Sequence, residues 1–211
     1  MTRRKNVMPC LLLSRRRSAL AAVFVAILAL VLAGCAITPS GPAPSSVSSQ
    51  TSEREFLADH GLSGLDVRQV IERLDTMPVP DRPTDLLASV QPEALVLTDD
   101  QERETRLPLP EDEVYISIAP YRDQTHDCYF HSLTTCRGEL ASEEVQVTLT
   151  GADGEVIIDE ARQTYDNGFI GLWVPRDTEV NLTIEHEGQE ANARISTMNE
   201  DATCITTMRL Q

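Results

Sequence analysis

The chain has 211 residues, 41% of them hydrophobic and 4% aromatic, with 18 basic against 33 acidic side chains and a net charge of −15. A surface this acidic repels nucleic acid and anionic lipid, so neither is expected as a partner held by charge. No G-x-S-x-G, Walker loop or H-E-x-x-H is present, which leaves hydrolase and nucleotide chemistry without support.

Residues 1–34 read as an export signal. Arg3, Arg4, Lys5, Arg15, Arg16 and Arg17 precede an apolar run from Ala19 to Ala33, and the run ends at Leu32-Ala33-Gly34-Cys35. It is shorter than the roughly 20 residues of a membrane-spanning helix. The segment resembles the bacterial lipoprotein signal, in which the cysteine is lipidated and becomes the mature N-terminus. Cys35 is therefore expected to anchor the protein through lipid, on the outer side of the cytoplasmic membrane or in the periplasm. Loss of the signal leaves twelve basic against 33 acidic residues, a net charge of −21. It also leaves three usable thiols, Cys128, Cys136 and Cys204, because Cys10 departs and Cys35 is blocked. An odd number cannot form a pure disulfide framework.

Residues 35–51, rich in Pro, Ser and Gly, are too poor in apolar residues to pack and read as a flexible tether. Residues 52–110 read as a small helical region. Phe56, Leu57, Leu62, Leu65, Val67, Val70, Ile71 and Leu74 recur at spacings near three and four, interrupted at Gly61 and Gly64. Ser63 or Asp66 is placed to cap the second helix, and Pro78 and Pro80 end it. Thr84 to Val90 reads as a further short helix, and Leu107 to Pro110 as a proline-bounded loop. So small an amphipathic pair must bury its apolar stripe on the following domain or on a second copy of itself.

From residue 111 the period changes to two. Val114 to Ile118, Val145 to Leu149, Val180 to Ile184, Ala193 to Thr197 and Cys204 to Leu210 read as strands, with turns at Gly151 to Gly154, Asp166 to Gly168 and Glu187 to Gln189. The expected fold class is α+β: a small N-terminal helical region followed, over residues 111–211, by an antiparallel β-sandwich-like domain. Trp173, the only tryptophan, is expected to be a principal core residue.

The chemistry concentrates in His126-Asp127-Cys128-Tyr129-Phe130-His131-Ser132-Leu133-Thr134-Thr135-Cys136, together with Cys204. Thiolate and imidazole select Cu(I), Zn or Fe over Mg or Ca. The spacing is not that of a zinc ribbon, and there is no C-x-x-C redox motif. Strands remote in sequence become neighbours in a sandwich, so one site can collect all three sulfurs and suit Cu(I). His126 or His131 would then replace one sulfur or act as an entry ligand. His126, two residues from Cys128, leans towards ligand, while His131 stands between ligand and hydrogen-bond partner. Tyr129, Phe130 and Leu133 read as core, and His60 and His186 as surface histidines. Asp99, Asp100, Glu111, Asp112 and Glu113 lack calcium-loop spacing and read as a solvated face.

Four segments, Tyr115 to Tyr121, Thr125 to Leu140, Asp166 to Arg176 and Thr203 to Leu210, together resemble the CueP family of periplasmic copper-binding proteins. The likeness runs from about Phe56 to Leu210. It implies a copper-resistance protein that forms a homodimer through its N-terminal region and binds copper through Cys128, Cys136 and Cys204 with histidines nearby. It also implies Cu(II) reduction and supply of copper to an envelope acceptor such as a superoxide dismutase. The lipobox departs from the freely soluble form of that family. Two other readings of the residues stay open: an envelope thiol-disulfide oxidoreductase using Cys128 and Cys136, and a structural surface lipoprotein with one disulfide.

Overall fold

The computed structural model describes residues 45–211; the stretch read as an export signal, Cys35 and the expected tether as far as residue 44 lie outside the described residues. The first helix, α1 (Ser45–Asp59), begins within the stretch read as tether. Its last turn carries Phe56 and Leu57 into the core, and Gly61, at φ +68°, turns the chain out of it. Asp66 then caps α2 (Val67–Asp75): its carboxylate accepts from Gln69 N at 2.9 Å, while the Gln69 side chain accepts from Asp66 N at 3.0 Å. Such a reciprocal box satisfies two of the backbone donors that a helix start leaves orphaned. Val70, Ile71 and Leu74, the stripe seen in the sequence, are buried in the same core as the strands, so the following domain covers it. A short 3-10 turn, Val79–Asp81, ends the helical part.

Thr84 to Val90 is not helical. Leu86–Val90 is strand β1, paired antiparallel with β2 (Ala94–Asp99), which pairs in turn with β3 (Glu104–Pro108). Leu-Leu-Ala favours a helix locally, but the burial alternates: Leu86, Ala88 and Val90 face the core while Leu87 is 56% exposed. Pairing and burial outweigh local propensity. Asp99 is likewise not on a solvated face. Its carboxylate closes the β2–β3 turn, accepting from Gln101 N and Arg103 N at 2.9 Å and from Arg103 Nε at 2.6 Å.

The remaining strands are β4 (Glu113–Ile118), β5 (His131–Ser132), β6 (Glu144–Gly151), β7 (Val156–Gln163), β8 (Ile170–Pro175), β9 (Glu179–His186), β10 (Gln189–Ser196) and β11 (Cys204–Ile205). They complete three sheets, ordered β3-β2-β1-β5, β10-β9-β6-β7 and β11-β4-β8. The fold is α+β with sandwich-like sheets, helices first. The expected last strand, Cys204 to Leu210, contracts to the two residues of β11, which run parallel to β4.

Several side chains sit elsewhere than expected. The fully buried aromatic is Phe169, whereas Trp173 is half-buried beneath Arg68, whose guanidinium carbon lies 4.1 Å from the ring centroid. Tyr129 is 56% exposed. His186 is buried and contacts Glu144 O through Nδ1 at 2.8 Å, and the His60 ring lies largely covered, 3.8 Å from Asp99. Neither is the surface histidine that its polar neighbours imply, because the sheet and helix ends fold over them.

Candidate metal centre

Two neighbouring stretches of the chain and one remote from them meet at one corner. The long connection from β4 to β5 carries His126 and Cys128. Its first turn is pinned by the Glu139 carboxylate, which accepts from the backbone N–H groups of Arg122, Asp123 and Gln124 at 2.9 to 3.0 Å. Further along, Thr125 Oγ1 donates to Thr206 O at 2.8 Å, tying this loop to the C-terminal segment. Cys136 lies in the turn after β5; its carbonyl accepts from buried Arg82 at 2.9 Å, and its sulfur faces Ser132 N at 3.4 Å. Cys204 is set by β11, opposite Ser117 of β4.

The result is a compact donor set. One ligand atom from each of His126, Cys128, Cys136 and Cys204 lies within 4.8 Å of all the others, and the Cys128 and Cys136 sulfurs are 3.5 Å apart. All three thiols are free. His126 Nε2 is buried without a hydrogen-bond partner, as expected of a nitrogen whose partner is not protein. Three sulfurs and an imidazole within bonding reach of one centre fit a soft or borderline cation; tetrahedral Zn(II) and trigonal or tetrahedral Cu(I) both accept them. Phe169 forms the floor, its ring 4.5 Å from that of His131 and 6.1 Å from that of His126. With Ala119 it makes the apolar wall of the cysteine cluster. A cleft of about 360 Å³, lined among others by Tyr129, Ile195, Asp201 and Thr206, opens onto Cys128 and Cys204. A second, of about 280 Å³ between Thr125, Arg137 and Glu139, reaches His126.

His131 stands one step behind the set. It is fully buried on β5, its Nε2 3.0 Å from Asp75 Oδ1 and its Nδ1 3.8 Å from the Cys204 sulfur. Burial disfavours its charged form, yet the Asp75 carboxylate, by charge and by hydrogen bond, outweighs burial and lifts the imidazole to about 9. The thiols divide unequally. Hydrogen bonds from Cys128 and Cys204 hold Cys136 far below the ordinary thiol range, with His131 adding to the effect, while the Cys128 thiol is pushed up to about 11 by its bond to Cys136. Cys204 is also pushed up, by the same two neighbours and by burial. Thiols this close titrate as one coupled group, so the trio gives up its first proton below the ordinary thiol range.

Sequence reasoning missed the polar residues behind this corner. Asp75 is fully buried and accepts from Tyr115, Ser117 and Asn167; Arg82 is buried beside it. One signal was available: Asp75 follows Ile71 by four residues and so falls on the apolar stripe of α2, where a charged residue demands a partner. A Cβ on Gly171 would overlap the Tyr115 hydroxyl, so this glycine is what admits Tyr115 to Asp75.

The family model for the periplasmic copper-binding protein CueP matches residues 69–209. Among solved structures, the crystal structure of S.CueP is similar to this chain at 39% identity with a TM-score of 0.71, over 76% of this chain and 98% of that one. No curated protein matches. By the family model over two thirds of its length and by this similarity, the chain belongs to the CueP family of periplasmic copper-binding proteins.

Proposed function

We propose that this protein is a lipid-anchored copper-binding protein of the bacterial envelope, holding Cu(I) through Cys128, Cys136 and Cys204 with His126 completing the site. The observation that carries the reading is the convergence of three thiols and one imidazole within 4.8 Å. Sulfur-rich, low-coordinate sites favour Cu(I), and the unpartnered His126 Nε2 leaves that imidazole free to bind. The lipobox at Cys35 supports the anchor, which confines the protein near the membrane and shapes which acceptor it can supply with copper. The family resemblance supports assembly as a homodimer through residues 52–110; the apolar stripe of α2 does not add to that support, being covered within the chain.

Cu(II) reduction is part of the proposal. Two thiolates that become a disulfide release two electrons, enough to convert two Cu(II) ions to two Cu(I), and an external thiol reductant must then reopen the bridge for a second round. Cys128 and Cys136 are the pair for this, with sulfurs 3.5 Å apart. That same proximity favours the second reading, a thiol-disulfide oxidoreductase. A competition titration with a coloured Cu(I) chelator tests the first. Reduced wild type should withdraw one Cu(I) per chain, Cys204→Ser should bind it far more weakly, and insulin reduction by the metal-free protein should be absent. Insulin reduction with no copper retention would establish the oxidoreductase instead.

A further inference from the structure

A carboxylate with no exposed surface demands a reason, because a buried charge is costly and replacing it by an apolar residue of similar size is often neutral or stabilising for a fold. Asp75 is such a group: buried Arg82 lies 4.0 Å from Oδ1, and four further side-chain partners come from the strands and loops that carry the copper site. Oδ2 accepts from Tyr115 OH at 2.8 Å and Ser117 Oγ at 3.2 Å; Oδ1 accepts from Asn167 Nδ2 at 2.9 Å and faces His131 Nε2 at 3.0 Å. Two of these lead to one sulfur. His131 turns its other nitrogen, Nδ1, to Cys204 Sγ at 3.8 Å, and Ser117 is the residue opposite Cys204 in the β4–β11 register. The ring is held in place, since Phe169 packs tilted against it with centroids 4.5 Å apart and its own backbone N–H is held by Thr203 Oγ1 at 3.0 Å.

We infer that Asp75 is a positioning residue for copper binding: anchored on α2, it locks the His131 ring against the Cys204 sulfur and so holds this thiol at the spacing the metal requires. Asp75 touches no ligand atom itself. The inference rests on the reading of Cys204 as a copper ligand and extends it into the helical region. A carboxylate, an imidazole and a metal-bound group in series is a recurrent way of fixing a ligand, and loss of such an outer partner costs about 10- to 100-fold in metal affinity. Here the imidazole meets the ligand sulfur rather than the metal, so a value near the lower end is expected.

A double-mutant cycle separates positioning from general support of the fold. Cu(I) affinity is measured by chelator competition on the full-length reduced protein for wild type, Asp75→Asn, Cys204→Ser and the double variant, together with the near-ultraviolet thiolate-to-copper absorption. Asp75→Asn should weaken binding about tenfold and alter the absorption where Cys204 is present, and change affinity less than about twofold in the Cys204→Ser background. Equal losses in both backgrounds, or no loss at all, overturn the inference. Wild-type affinity in Cys204→Ser alone overturns the ligand reading beneath it, and the inference with it. Should Asp75→Asn prove too unstable to purify, His131→Gln carries the same cycle, since the His131 ring is the direct link to the sulfur: loss confined to protein that retains Cys204 is expected, and equal loss in both backgrounds overturns the inference.

Discussion

The four-stranded sheet β10-β9-β6-β7 and the metal corner are built on opposite rules. In the sheet, every second residue does the work: Val145, Val147 and Leu149 of β6 and Val180, Leu182 and Ile184 of β9 are buried at 1% exposure or less, and their neighbours face outward. The pairs are made over long registers, eight residues between β9 and β10. The corner instead uses two two-residue strands, β5 and β11, and long loops. Around the apolar floor of Phe169 its positioning is polar: Asp75, Arg82, Asn167 and Glu139 each make several bonds, most of them to groups far away in sequence. The sheet supplies stability from surface that water rejects; the corner supplies geometry, at the expense of burying groups that water favours.

If that division is right, damage to each region should read out differently. The largest effect is expected at Phe169, which belongs to the corner and is fully buried beneath both histidines. Phe169→Ala should lower stability by about 3 to 5 kcal/mol and also weaken Cu(I) binding in whatever fraction remains folded. Leu182→Ala in β9 should destabilise by about 2 to 5 kcal/mol while leaving the affinity of the folded protein unchanged. Urea denaturation paired with chelator competition checks both, and a loss of copper affinity in Leu182→Ala would erase the distinction.

Trp173 gives a smaller effect. With its indole half-buried under Arg68, Trp173→Ala should cost about 1 to 2 kcal/mol, the sum of partial burial and a cation–π contact, rather than unfolding the domain. Thermal melting decides this.

The smallest effect concerns acid. Burial alone would raise Asp99, but hydrogen bonds from the Arg103 and Gln101 backbone and the Arg103 side chain hold it below the usual carboxylate range. Because its folded value is depressed, its stabilisation is present above the ordinary value near 3.8 and is lost as pH falls through the lower folded value. Asp99→Asn should therefore lose stability at neutral pH and show a shallower decline below about pH 4. Melting curves from pH 3 to 7 measure this, and parallel curves for the two proteins would contradict it.

What was legible in the sequence follows the same division. Alternation in Val145 to Leu149 and Val180 to Ile184 reports burial directly, so those strands could be read residue by residue. β7 could not, because it is an edge strand largely exposed on both faces and alternates in nothing. β1 was concealed by Leu-Leu-Ala, whose helical leaning is local while its pairing with β2 is not. At the metal corner the soft donors announced themselves, since clustered Cys and His have few other uses. Their ranking was only partly legible: His126 leaned towards ligand by its closeness to Cys128, but His131 stood open, because Asp75, which engages it, lies 56 residues away on another element.

The central claim, three cysteine ligands on one copper, is tested most directly by copper K-edge X-ray absorption on Cu(I)-loaded protein. Three sulfur neighbours are expected for wild type and two for Cys204→Ser, matching the three thiols gathered at the site. A first shell dominated by nitrogen and oxygen, or a sulfur count unchanged by each single Cys→Ser substitution, would contradict it.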